Sequence, residues 1–435
     1  MRGSRRALRV AAAVSVAAMV ATSCGGGSGD SNSSAPGVTE DTVTIGSHQP
    51  LTGPAAPGYS EIAPAANAMF RYINDNGGIN GRQIKYIYKD DGYNPTQTVS
   101  VVKELVLKDN VFALFNGLGT PTHEKVLTFL DQHKVPDLFV ASGSRAWNQT
   151  DKFENTFGWQ PDYTVEGKIL GRYVADTFVG AKVGYMLQND DFGTDGAKGL
   201  DAYIDGKSVV SRQTYESSNS NIAPQVAALK AAGAQVVVCE CIPAFTALTI
   251  LNSLKIGFHP RMVVSNVGSD PTTLSGLLES FAKKGGSDVS GNDLIQGIIT
   301  DGYLPATGDT TNSWTNLFRK VHDKYVPDLP FDGNVEYGMA AAYTFAQVLK
   351  AAGEKPTRAS LVAALEKGGF TGPGLVPFRY SKTDHSGYTG TQVGVIAGNT
   401  VTPLQPPQVT DDGDGPLKPY TTKQPAVGDD GILKP

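Results

Sequence analysis

Cysteine is scarce: 435 residues hold three, Cys24, Cys239 and Cys241. That excludes a scaffold stapled by disulfides, which needs several pairs. Cys239 and Cys241 fall in the run VVVCECIPAF. Two residues apart on a strand they face the same way without the geometry for an easy bond, so they read as buried small apolar residues; the alternatives are a strained disulfide or a metal role. Long apolar runs are missing too, because the stretch 10–21 falls short of the about 20 residues a membrane-spanning helix needs. Positive charge is in deficit, 37 Lys and Arg against 42 Asp and Glu. Loss of residues 1–23, with four arginines and no acid, takes the net charge from -5 to -5 - 4 = -9, which argues against a nucleic-acid partner. Catalytic signatures are absent as well: there is no G-x-S-x-G elbow and no phosphate-loop lysine, and His123-Glu124 has no second histidine four residues on. Gly25, Gly26 and Gly27 follow no strand, so they do not read as a dinucleotide loop. No enzyme chemistry, cofactor or metal is expected.

What is present begins with an export leader. Arg2, Arg5, Arg6 and Arg9 precede a small-residue apolar run that ends at Ala21-Thr22-Ser23-Cys24. This resembles a bacterial lipoprotein signal over residues 1–23, with Cys24 as the lipidated first residue and Ala21 where such signals usually carry leucine. The other reading places Cys24 beside an ordinary cleavage site. Residues 24–40, rich in Gly, Ser and Asp, read as a flexible tether.

Forty per cent apolar residues over the remaining chain exceed what one core organises, since single cores stop growing near about 250 to 300 residues. From residue 42, strand-like runs (TVTIGSHQP, RQIKYIYKD, VFALFNG, DLFVAS) alternate with helical spacers (PAANAMFRYINDN, PTQTVSVVKELVLKD, PTHEKVLTFLDQHK). The alternation restarts with KVGYMLQND, SVVSRQTY, QVVVCEC, RMVVSN and LIQGIITDGY. Later come a helical tract, a hairpin read from PFRYSKT and TQVGVIAGN, and a Pro/Asp/Gly-rich tail from 404 to 435 that is expected to pack poorly. The pattern predicts an α/β fold of two doubly wound parallel-sheet lobes.

The stretch GGINGRQIKYIYKDDGYNP carries the most local information. Gly77 and Gly78 stop a helix, 82–89 alternate as a strand, and Asn94-Pro95-Thr96-Gln97 reads as an N-cap, a first-turn proline and a capping box. Asp90 and Asp91 end the strand, where they brace the turn or face a ligand; bracing is the preferred reading.

This stretch, with Ile79 and Gly81, resembles the type I solute-binding proteins of branched-chain amino-acid ABC importers, the leucine/isoleucine/valine-binding family. Leu51-Thr52-Gly53-Pro54, Asn189-Asp190-Asp191-Phe192-Gly193 and the run 338–343 extend the likeness over roughly 41–400. The resemblance implies a periplasmic binding protein type I fold: lobe 1 from 41–158 and 303–370, lobe 2 from 159–302 and 371–403. Three crossovers near 157–160, 300–304 and 370–377 form the hinge, and a ligand lies between the lobes.

It also implies a site. Thr120 opens a helix after Gly117 and Gly119, its hydroxyl toward a ligand carboxylate; Ser142 and Ser144 hold the ligand termini; Tyr59 and Phe192 cover it from either lobe. Asn266 stands where amino-acid binders carry the acid for the ligand ammonium, and Ile242 replaces an aromatic. Glu240, Asp191 or Asp270 can substitute for that acid, or the ligand is an amide, a small carboxylate or another polar metabolite. The implied function is capture of a small polar ligand for an ABC permease by an exported monomer, lipid-anchored through Cys24 to the outer face of the membrane. An extracellular sensor that presents its closed form to a membrane receptor or kinase is the alternative.

Overall fold

Strand and helix alternate twice along the chain, and the computed structural model, which describes residues 35–428 and 432, turns each alternation into its own sheet. The first comprises β1 (Thr42–Gln49), β2 (Gln83–Asp90), β3 (Ala113–Phe115), β4 (Asp137–Val140) and β5 (Thr156–Gly158), all parallel, in the order β2-β1-β3-β4-β5. The second has β6 (Val183–Gln188), β7 (Val209–Tyr215), β8 (Val236–Glu240), β9 (Arg261–Val264) and β10 (Ile299–Gly302), parallel in the order β10-β9-β8-β6-β7. Antiparallel β11 (Gly390–Ala397), β12 (Thr400–Pro403), β13 (Gln408–Val409) and β14 (Lys418–Pro419) extend it beyond β10. In both sheets the first strand lies between the second and third. That order creates a crevice at the carboxyl ends of the strands on either side of the reversal.

Local chemistry sets the boundaries. Gly78 has φ 68°, and a Cβ there would sit 2.1 Å from the Arg82 carbonyl, so only glycine makes the turn into β2. Asn94 accepts from the Thr96 and Gln97 backbone N–H groups and caps the helix Pro95–Leu107. The expected reciprocal bond from Gln97 is not formed, because the Asn94 N–H donates to the Asp91 carbonyl (2.9 Å). Asp90 takes Thr52 N–H, Thr52 Oγ1 and Gly92 N–H, and Asp91 takes Tyr93 N–H, so both brace the turn. The helix expected over PTHEKVLTFLDQHK splits into Thr120–His123 and Leu127–Gln132. His123 is drawn into the core by bonds to His48 and Asp137, which ends the first piece after one turn. PFRYSKT forms only isolated bridges, Phe378 to Tyr388 and Ser381 to Asp384; the hairpin is β11–β12.

The chain passes three times between the sheets. Gly158 ends β5, while the helix Tyr163–Thr177 packs on Asp191–Asp201 beside the second sheet. Gly302 ends β10, while the helix Ser313–Tyr325 packs on Ile62–Asp75 over the first. The last passage lies between the helix Arg358–Lys367 and β11. Trp159, at the first passage, meets Tyr303 at the second and Tyr388 near the third, with ring centroids 5.9 and 5.1 Å away.

Two expectations are corrected. Cys239 and Cys241 form a disulfide. β8 ends at Glu240, and the bend brings the two Cα atoms to 5.2 Å, against roughly 6.6 Å along a straight strand. The tail is not loosely packed: β13 and β14 join the second sheet, and the buried Lys168 ammonium donates to the carbonyls of Asp411, Gly413 and Gly415 at 2.9, 2.8 and 2.8 Å. Composition registers proline and glycine but not a lysine that supplies donors from a helix far away in sequence. The leader, Cys24 and most of the tether lie outside the described residues. No described helix is long and apolar enough to cross a membrane.

Candidate functional site

The carboxyl ends of the two sheets face each other across a cavity of about 500 Å³. Its first-sheet wall is Tyr59 after β1, Tyr93 after β2, Leu118 and Thr120 after β3, and Tyr337 from the helix Gly333–Ala351. Opposite stand Phe192 after β6, Ile242 after β8, Asn266 and Val267 after β9, and Asp301 with Tyr303 at the end of β10. Direct hydrogen bonds close the gap around it. Tyr59 Oη donates to the Val267 carbonyl (2.6 Å), Gly333 N–H to Asp270 Oδ2 (2.9 Å), Thr273 Oγ1 to Asp332 Oδ2 (3.3 Å) and Arg145 N–H to Asp195 Oδ2 (3.0 Å). These bonds tie the two sides together around the cavity.

Beneath the β3 loop runs a fully buried chain of hydrogen bonds: Asp91 to His48 (2.8 Å), His48 to His123 (2.9 Å) and His123 to Asp137 (2.7 Å). A Cβ on Gly117 would lie 2.5 Å from His48 Nε2, so the loop rests directly on these imidazoles. Burial holds the His48 pKa below its ordinary value despite its bond to Asp91. Tyr93 has φ 56°, an unusual backbone for a bulky residue, held by its N–H to Asp91 Oδ1 (2.9 Å).

The cavity wall is acidic and aromatic. Asp270, Asp301, Asp309 and Glu336 line it, with no lysine, arginine or histidine among the described lining residues. Asp301 is 4% exposed; Oδ1 accepts Asn266 N–H (3.1 Å), and Oδ2 has no donor at hydrogen-bond distance, with Glu166 and Thr391 its nearest polar neighbours. Glu166 Oε1 takes the same Asn266 N–H at 2.9 Å, and Glu240 lies behind with both oxygens unpartnered. Burial, then the Glu166 charge, pushes the Asp301 and Glu240 carboxyls well above the ordinary range. Burial raises Glu336 to about 8. No described group of His, Cys, Asp and Glu is arranged to hold a metal ion.

Of the residues singled out from sequence, Tyr59, Thr120, Phe192 and Asn266 line the cavity, while Ser142 and Ser144 do not. Ser142 Oγ stands behind Thr120, 2.8 Å from its Oγ1. Ser144 caps a short 3-10 helix by accepting Ala146 N–H and donates to Asp191 Oδ2 (3.3 Å), so its hydroxyl faces the other sheet's helix. Phe192 packs on the Tyr163 ring, centroids 4.5 Å apart. Of the proposed substitutes for Asn266, only Asp270 lines the cavity. Sequence reasoning missed Tyr93, Tyr163, Tyr303, Tyr337, Asp301 and Glu336. Tyr93 was accessible, three residues beyond Asp90, which ends β2; the others sit in segments whose pattern signals only burial.

A sequence profile of the periplasmic binding protein family matches residues 42–399. Leu/Ile/Val-binding protein homolog 1 of Brucella suis biovar 1 (strain 1330) is 25% identical over 342 residues, 75% of this chain and 83% of that protein. Homolog 2 of Brucella abortus (strain 2308) is 26% identical over 344 residues, with the same coverage. Among solved structures, a fatty acid ABC transporter substrate-binding protein from Thermomonospora curvata superposes with TM-score 0.75 at 19% identity, covering 89% of this chain and 98% of that one. A branched chain amino acid ABC transporter protein from Thermus thermophilus with bound valine gives 0.73 at 18%, covering 86% and 98%.

Proposed function

The chain belongs to the periplasmic binding protein family, and from that premise we propose that it captures a small polar ligand between two lobes and delivers it to an ABC permease, as an exported monomer anchored by lipid on Cys24. In this reading the lobes are 41–158 with 303–370 and 159–302 with 371–403, and the passages between them are the hinge. The observation that carries it is the void of about 500 Å³ bounded by both sheets and latched by bonds such as Tyr59 to Val267. A ligand that touches both walls favours the closed form by its differential affinity and by nothing else.

Tyr59, Thr120, Phe192 and Asn266 are the contact residues in this proposal, and Ser142 orients the Thr120 hydroxyl. The void exceeds what valine fills, and Ile62, Leu118, Ile242 and Leu304 give it apolar wall. These features support a ligand with a longer apolar body than a branched-chain amino acid; the Thermomonospora neighbour's name mentions a fatty acid.

The test is small-angle scattering and thermal denaturation of the full chain against amino acids, amides, amines and small carboxylates. A binder should compact the protein or raise its Tm by mass action, and Phe192→Ala, which strips one side of the cavity wall, should weaken it at least about tenfold. A set in which nothing alters shape or Tm overturns capture.

A further inference from the structure

The composition of the cavity wall bears on the ligand's charge. Four carboxyl side chains and no basic one line it, and two of the four have unused capacity. Asp270 caps the helix Pro271–Lys284 through Thr273 N–H and takes Gly333 N–H, and Asp309 is occupied by Thr311 at the mouth. Asp301 has an unpartnered oxygen although 4% exposed, and Glu336, 1% exposed, receives only a long bond from Thr315 Oγ1 (3.4 Å). A buried carboxyl gives up its charge for want of a counter-charge, and a cationic guest that supplies both charge and donors lets it ionise.

The expected carboxylate seat at Thr120 offers little in return. Its helix is a single turn, and its hydroxyl is already within 2.8 Å of Ser142 Oγ. The acids nearby, Glu124 and Asp190, are themselves raised by burial to about 7 and about 6. A ligand carboxylate would join this acidic wall with no cation beside it, which burial penalises.

Resting on the capture reading, we infer that the guest is an amphipathic organic cation, a primary amine or guanidinium on an apolar body, with its charged head at Asp301 or Glu336 and its body along the tyrosines. Aromatic faces attract a cation that lies over them, and Tyr59, Tyr93, Tyr163, Tyr303 and Tyr337 supply such faces. The groups around each acid allow this. Asp301 faces Glu166, Glu240, Thr391 and the Asn266 N–H. Glu336 faces Thr315, Asp309 and Arg319, and the Arg319 guanidinium is engaged with the Phe331 ring and the Thr307 carbonyl. Burial raises both carboxyls, Glu336 to about 8, so a cation that binds at Glu336 below that pH displaces a proton.

Calorimetry of the full chain with hexylamine, phenethylamine, hexanamide, hexanoate and L-leucine at pH 6 and pH 8 tests this. The amines should bind at least about tenfold tighter than hexanamide, tightening by up to about tenfold per pH unit as one proton is released. Asp301→Asn or Glu336→Gln should abolish that pH dependence and leave hexanamide unaffected. Hexanamide equal to hexylamine, or hexanoate or leucine preferred with affinity that falls as pH rises, overturns the cation assignment and leaves capture standing. No heat and no change in scattering with any of the five overturns both.

Discussion

Lys168→Met isolates one ammonium from everything else that holds the tail. Lys168 is 3% exposed, and its Nζ donates to three carbonyls of the loop 411–415; the closest approach to a carboxylate is 3.6 Å, to Asp411 Oδ1. It therefore acts as an internal cation for carbonyl dipoles more than as half of an ion pair. Methionine keeps most of the apolar stem and removes the donors. A hydrogen bond to a charged group is worth about 1.5 to 3 kcal/mol. Three on one nitrogen do not add, and the freed carbonyls recover water once the loop lifts, so a loss of about 2 to 4 kcal/mol in tail docking is expected. By the relation of about 1.4 kcal/mol per factor of ten, hydrogen exchange at β13 and β14 should accelerate roughly 30- to 700-fold, with β8 and β9 unaffected. Lys168→Arg should recover only part, because a planar fork cannot aim at three convergent carbonyls. Acceleration below about threefold would refute the internal-cation reading and assign docking to strand pairing and the Arg145–Asp412 contact (3.0 Å).

Glu240→Gln should raise stability more at pH 8 than at pH 5 in urea titrations. Burial raises the folded-state pKa, so the native state holds the proton longer; stability declines as pH climbs above the unfolded value, by about 1.4 kcal/mol per unit until the folded pKa is passed, and equal gains at both pH values would refute it. Asp270→Asn keeps an acceptor for Thr273 N–H but gives up the one for Gly333 N–H, so the empty protein should scatter as a more open particle at about 10- to 150-fold altered population; unchanged scattering and unchanged ligand affinity would count against the latch.

The parts of the fold legible in sequence are those determined within a few residues. Gly78 at positive φ, Asn94 as a cap and the alternation in 83–90 each act locally and are found where the pattern puts them. Tyr59, Thr120 and Phe192 are expected from the family resemblance, and they line the cavity on the segments after β1, β3 and β6. Glu336 and Tyr337 lie in a helix buried over nearly all of its 19 residues, and nothing local distinguishes a side chain that meets a void from one that meets a neighbour. Asp301 is hidden similarly, since its meaning depends on Glu166 and Asn266 from two other segments. The disulfide was misjudged because it depends on where β8 stops, a boundary one residue from Cys241.

Part of the closure comes from two helix N-termini that face each other across the gap. Asp270 caps Pro271–Lys284 and reaches Gly333, the first residue of the opposing helix; Asp332 caps Gly333–Ala351 and accepts from Thr273 on the other. Each carboxylate thus serves its own helix in any conformation and the partner helix only when closed, so the cross-gap bonds alone enter the balance between open and closed. The positive ends of both helices favour negative charge there, while the two aspartates with Glu61 repel one another: burial and then Asp270 raise Asp332 to about 6, and burial and then Asp332 raise Glu61 to about 8. The latch therefore weakens as these carboxyls lose their protons and their mutual repulsion grows. The apparent affinity for a guest that needs the closed form scales with the fraction already closed. A ligand that fills the void need add only the difference, through the contacts it makes with both walls at once.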